Sequence, residues 1–150
     1  MEKSVCLVLN ELLVRTLNDI LAIEEYEIKR GLLHNLSISE IHTIEAIGMY
    51  SSSTMSQAAS VLGITLGTLN SAVNNLVKKG YVSRKRDDED RRIVNISLTK
   101  EGKIAFRIHE KFHLDLIRQT TQGLAEKESI LLESLQKLTR FMKSNYLLNS

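Results

Sequence analysis

One cysteine, no proline and no apolar run near the roughly 18 residues of a membrane span set the first limits on this 150-residue chain. A lone Cys6 cannot close an internal disulfide, which fits a reducing compartment. The first residues lack a basic stretch and a small-residue cleavage site, and Glu2 stands where positive charge would be wanted. The expected location is therefore the cytoplasm, with no membrane partner. Without proline, other residues must mark the ends of elements, and several of the seven glycines fall where the periodicity breaks. No nucleophile–base constellation, phosphate-cradling glycine loop or metal set stands out, so neither an enzyme nor a cofactor is expected.

What remains is a chain 43% hydrophobic and 25% charged, one domain's worth of sequence with enough apolar material for a core. Its net charge of +2 conceals an asymmetry. Residues 1–28 carry two basic and six acidic side chains, whereas residues 54–103 carry nine basic and five acidic. A positive middle segment suits a polyanion, and it suits an ordinary solvated surface as well.

The apolar pattern organises the chain. Val5, Leu9, Leu12, Leu13, Leu17, Ile20 and Ile23 recur at helical spacing over about residues 4–30, in a stripe wider than one partner helix needs. "SISE" at 37–40 has the form of a capping box, with Ser37 and Glu40 satisfying each other's backbone N–H groups, and opens a helix running towards Tyr50. "TMSQ" at 54–57 repeats the device and opens a short helix that stops at Gly63. Thr65 caps a third helix, through Leu69, Val73 and Leu76 to Gly80. The period then changes to two, predicting strands over 81–86 and 92–98 joined by an acidic loop. Thr99 caps a further helix, and a last one runs from about Ala125 through Leu131, Leu135, Leu138 and Met142.

Short helices around a tight Gly63 turn, followed by a hairpin, are the plan of a winged helix-turn-helix. The expected fold is mainly α with a small β-hairpin wing. Consecutive short helices also occur in bundles that bind no nucleic acid. The helix after Gly63 adds to the case, because its non-core face holds Thr65, Thr68, Asn70, Ser71 and Asn74. Short donors and acceptors of this kind suit readout of base edges in the major groove. Gly67 lets the backbone come close to DNA, at a helix-propensity cost of about 1 kcal/mol against alanine. An uncharged solvated face would look the same at any single position.

The segment "LVKKGYVSRKRDDEDRRIVNISLTKEG", residues 76–102, resembles the wing region of MarR-type transcriptional regulators. The matching parts are the helix-ending Gly80, Arg84 on the first strand, the D-x-R loop of Asp90, Arg91 and Arg92, and Leu98-Thr99 with Gly102. The helices on either side match in order and length. The resemblance implies that Arg92 enters the minor groove and that Asp90 holds its guanidinium. A narrow minor groove concentrates negative potential, and a carboxylate can fix the planar guanidinium from two sides. Arg84 and Arg86 share a strand face and suit pairing with Asp90 or phosphate contact. Lys78 and Lys79 suit phosphates, which position without specifying. Asp87, Asp88 and Glu89 are expected at a solvent-facing tip. A calcium loop is not expected from "DDED", which lacks the ligand spacing and sits among five basic residues.

The resemblance further implies a homodimer in which helices over about 1–34 and 100–150 interlock, leaving about 37–99 as the winged helix of a single 1–150 domain. The partner is then double-stranded DNA with a pseudo-palindromic operator. "ISEIHTIEAIG", "TLGTLNSAVNNLVKKGYV" and "HEKFH" narrow the likeness to the FabT-like branch, which represses fatty-acid synthesis genes in Gram-positive bacteria. That branch implies acyl chains on acyl carrier protein as co-repressor. Ile108, His109, Phe112, His113 and Leu116 are candidate lining residues, four of them on one helix face, and plain core is the simpler reading of the apolar ones. Release by a small aromatic ligand, or a winged helix that binds protein and not DNA, are the alternatives. His109 and His113, four apart, could hold zinc, but no third ligand stands nearby in the sequence. His42 reads as a satisfied histidine, and Cys6, among apolar and acidic neighbours, as a poor redox sensor.

Overall fold

The computed structural model describes residues 2–146. Its elements run α1 (Lys3–Arg30), α2 (Ile38–Ile47), β1 (Ser53–Thr54), α3 (Met55–Leu62), α4 (Leu66–Lys78), β2 (Val82–Arg86), β3 (Val94–Leu98), α5 (Lys100–Thr121) and α6 (Glu128–Asn145), with a 3-10 turn at Ala125–Lys127. This is a mainly helical winged helix-turn-helix with long flanking helices.

Both capping boxes form. The Ser37 hydroxyl accepts from the Glu40 N–H while the Glu40 carboxylate accepts from the Ser37 N–H, and Thr54 and Gln57 repeat the exchange. Thr65 and Thr99 cap α4 and α5 by accepting from the N–H three residues on. Gly63 ends α3 in the left-handed region at φ 65°, where a side chain would be strained. The helix expected to run to Tyr50 stops at Ile47, because Gly48 leaves helical geometry at φ 80°.

The core gathers Ile41, Ile44 and Ile47 of α2, Ala58 and Ala59 of α3, and Leu69, Val73 and Leu76 of α4. Val82, Ile96, Leu98 and Ala105 close it from the wing and α5. α2 lies at the centre, packed against α1, α3, α4, α5 and β3. The sheet has one strand more than the expected hairpin, in the order β1-β3-β2. β1 is only Ser53–Thr54, too short to show a period, and pairs antiparallel with Ile96 and Asn95. Gly102 meets a different demand. A Cβ there would overlap the Tyr81 carbonyl oxygen and lie 3.2 Å from Leu98 Cβ, so only glycine lets α5 start against the base of the wing.

α1 and α6 bury little. Only Glu24 and Ile28 are buried on α1, and no residue is on α6. Leu7, Val8, Leu12 and Leu17 on α1, and Ile130, Leu132 and Phe141 on α6, are all more than half exposed. Apolar surface of this extent marks an interaction face. Among the described residues no helix is long and apolar enough to cross a membrane.

Candidate nucleic-acid interface

Along α4, Leu69, Val73 and Leu76 are fully buried, and this fixes what the opposite side offers to solvent. Thr65, Gly67, Thr68, Asn70 and Ser71 are exposed, Asn74 is half-buried, and Lys78 is exposed at the C-terminal end. The hydroxyls have local partners: Thr65 and Thr68 lie 3.0 Å apart, and Ser71 donates to the Gly67 carbonyl at 3.3 Å. A Cβ added at Gly67 would meet only the Thr65 hydroxyl, at 3.9 Å. Nothing among the described residues requires glycine there.

The wing is an ordered loop. Asp87 anchors it: one carboxylate oxygen accepts from the N–H groups of Glu89 (2.9 Å) and Asp90 (3.1 Å), and the other accepts from Asn95 Nδ2 (3.2 Å). These N–H donors hold the Asp87 carboxyl below its ordinary range. Backbone bonds from Asp87 N to Ile93 O and from Ile93 N to Asp90 O close the loop. Asp87 is thus a half-buried organiser and not part of a free tip, whereas Asp88 and Glu89 are exposed. The sequence conceals the difference because three carboxylates in a row look alike.

Asp90 and Arg92 form an ion pair within the wing loop. Arg92 Nε donates to Asp90 Oδ1 at 3.1 Å and Nη2 to Oδ2 at 3.0 Å, while the Arg92 N–H adds a third bond at 3.0 Å. These bonds lower the Asp90 pKa and raise that of Arg92. The Arg92 side chain nevertheless stays 91% exposed. A guanidinium gripped along its Nε–Nη2 edge and otherwise bare to solvent is a charge held in a fixed orientation.

The remaining basic residues divide. Arg84 donates to Asn70 Oδ1 at 3.2 Å, tying β2 to α4, and Arg86 donates to the Arg91 carbonyl at 3.1 Å. Neither pairs with Asp90, the first of the two roles expected of them: Asp90's oxygens are taken by Arg92 from its own loop. Lys79 also departs from expectation. Its ammonium donates to both Glu40 oxygens (3.0 and 2.7 Å) and to the Asn35 carbonyl, so its charge is committed to α2.

The sequence model of the MarR family matches residues 34–93. The fold superposes on the crystal structure of Streptococcus pneumoniae FabT in complex with DNA with a TM-score of 0.85, at 36% identity over 91% of this chain and 96% of that one. The chain belongs to the MarR family. It is also 28% identical over 111 residues to the uncharacterised HTH-type transcriptional regulator YfiV of Bacillus subtilis, covering 73% of this chain and 69% of that protein. The multiple antibiotic resistance protein MarR of Salmonella typhimurium is 33% identical over 78 residues, 51% of this chain and 54% of that one. As a MarR-family protein the chain is a DNA-binding transcriptional regulator and not an enzyme.

Behind this interface, the five candidate lining residues of α5 separate. Ile108, His109 and Phe112 line a cleft of about 110 Å³ together with Glu24, Ile28 and Leu33. Ile108, Phe112 and Leu116 line a neighbouring open groove with Ile23. His113 lines neither, and turns instead towards Glu24. The inner cleft is smaller than the roughly 300 Å³ where ligand pockets begin.

A group of ionisable side chains gathers beside this cleft, and sequence reasoning found only part of it. His109 is 2% exposed and lies between two carboxylates, with Nδ1 at 2.6 Å from Glu45 and Nε2 at 2.5 Å from Glu24. His42 Nε2 is 3.1 Å from the same Glu24 oxygen, so His42 is a satisfied histidine as expected. Burial opposes a charge on His109, but the bonds from Glu45 and Glu24 outweigh it, leaving its pKa raised and that of Glu45 lowered. Glu24 and Glu45 were missed. The available signal was an acidic residue at 24, one turn after Ile20 in the apolar stripe, and it was hidden in the run "EEYE".

Proposed function

We propose that this regulator is a homodimeric repressor of fatty-acid synthesis genes, acting in the cytoplasm on a pseudo-palindromic operator. The winged helix over about 37–99 meets DNA, and the helices outside it pair the protomers, covering the apolar faces of α1 and α6. Arg92 reads the minor groove, aimed by Asp90. Thr65, Gly67, Thr68, Asn70, Ser71 and Asn74 lie at the major groove, and Lys78, Arg84 and Arg86 meet phosphates. The observation that carries this reading is Arg92, held by two side-chain bonds yet 91% exposed. What supports the regulated genes is the likeness to FabT over nearly the whole length of both chains.

Acyl chains delivered on acyl carrier protein are the proposed co-repressor. They would enter between α1 and α5, where Ile108, Phe112 and Leu116 present apolar surface continuous from cleft to groove. The cleft of about 110 Å³ must widen to admit a long chain. Its size favours a second reading, release of DNA by a small aromatic ligand stacked near Phe112.

The test is a gel shift of the purified dimer on its own upstream region and on fatty-acid synthesis promoters, with and without long-chain acyl carrier protein. Tighter binding with the acylated carrier alone is expected. A shift unaffected by it removes the co-repressor, and no shift on those promoters removes the assignment to fatty-acid synthesis.

A further inference from the structure

The two histidines of "HEKFH" have no third ligand near them in sequence, and the fold supplies one from 85 residues away. Glu24 of α1 is 2% exposed, and one of its oxygens faces three imidazole Nε2 atoms: His109 at 2.5 Å, His42 at 3.1 Å and His113 at 3.6 Å. The Nε2 atoms of His109 and His113 are themselves 3.2 Å apart. These groups come from three helices, with His109 and His113 four apart and therefore on one face of α5.

We propose that Glu24, His109 and His113 bind a divalent transition-metal ion, zinc by the nature of the ligands, with His42 the nearest fourth donor. Three arguments converge. The ligand atoms of Glu24, His109 and His113 all lie within 4.8 Å of one another. Tetrahedral zinc with bonds of about 2.0–2.2 Å needs its ligand atoms roughly 3.3–3.6 Å apart. The separations of 3.2 and 3.6 Å fall close to that, and the 2.5 Å contact opens by turning the Glu24 carboxylate.

The second argument is the support behind the ligand. Glu45 accepts from His109 Nδ1, so the neutral ring keeps its lone pair on Nε2, aimed at the cluster. A carboxylate behind a histidine in this way fixes the tautomer and raises its basicity as a ligand. Nitrogen and carboxylate oxygen together suit zinc better than calcium or magnesium, which prefer oxygen alone.

The third argument is charge and access. Three atoms that can each offer a lone pair, Glu24 Oε1 and the Nε2 atoms of His109 and His113, converge in one space. A dication satisfies all three and releases any proton held there. His113 and His42 are 38% and 36% exposed, so the ion has a route in from solvent. The site would clamp α1, a pairing helix, to α2 and α5 at the base of the winged helix.

The experiment uses the full-length dimer stripped with chelator, without DNA, so its outcome is independent of the operator and of any acyl ligand. Zinc is titrated against a chromophoric chelator, and Co²⁺ is added separately as a spectroscopic probe. One zinc per chain is expected, with visible Co²⁺ absorption of tetrahedral strength. His113→Ala, at a half-exposed position that leaves the core intact, weakens binding by at least about tenfold and removes the tetrahedral spectrum. Glu45→Gln, which touches only His109 Nδ1, weakens it about 10- to 100-fold with the spectrum kept. Circular dichroism checks that each variant is folded. Absence of stoichiometric binding means the cluster is held by protons alone, and wild-type affinity in both variants places the metal elsewhere; either result overturns the proposal.

Discussion

Replacing Asp90 with alanine should weaken operator binding, although it removes a negative charge from a surface that meets a polyanion. Two effects oppose each other. Loss of the carboxylate relieves repulsion of phosphates, which strengthens binding and steepens its salt dependence. Loss of the three bonds to Arg92 frees an arginine that is otherwise 91% exposed, so its order must be supplied on binding. The full rotamer entropy of an arginine corresponds to about 30-fold in affinity, and half of it to about 5-fold. The repulsion, from a carboxylate already paired with Arg92 and screened over about 8 Å at physiological salt, is the smaller effect. A loss of about 5- to 30-fold is therefore expected, read by fluorescence anisotropy on an operator duplex at fixed salt. Arg92→Ala should cost about 5- to 150-fold, and adding Asp90→Ala to it should cost little more. Unchanged or tighter binding by Asp90→Ala would mean that Asp90 is a repulsive charge and not an aiming device.

Further outcomes can be stated from the same contacts. If about six basic side chains of the dimer meet phosphates, affinity should fall roughly a thousandfold between about 50 and 200 mM salt, and a flat salt profile would argue for a protein partner instead. Gly67→Ala should raise thermal stability slightly, by about 0.5 kcal/mol, because the added methyl meets nothing closer than 3.9 Å, yet weaken operator binding. Equal affinity would show that close backbone approach is not used. Gly102→Ala should cost about 2–3 kcal/mol in urea unfolding, since its Cβ would overlap the Tyr81 carbonyl; a neutral result would show that α5 can slide along the wing.

Local signals carried most of the fold. Both capping boxes, the Gly63 stop and the Thr99 cap depend on residues three or four apart, and each formed where its residues predicted. β1 escaped because two residues define no period and its partner lies some 40 residues away. The Asp90–Arg92 pair followed from the wing motif and was found at bonding distance. The Glu24–His109–Glu45 group did not, since burial and pairing across 64 and 85 residues leave no mark in a sequence window. Lys79 shows the same limit. A lysine at a helix C-terminus looks free for phosphate until the fold brings Glu40 beside it.

Thr54 pairs with β3 as part of β1 and in the same position caps α3, while Arg84 joins β2 to Asn70 on α4. The wing is therefore bolted to α3 at one point and to α4 at another, and the span from Asn70 to Arg92 behaves as the fixed jaws of a caliper. A duplex whose twist carries its minor groove outside those jaws must deform to be held, at a cost that depends on its own stiffness. Such a clamp can prefer some sequences over others at base pairs that no side chain touches.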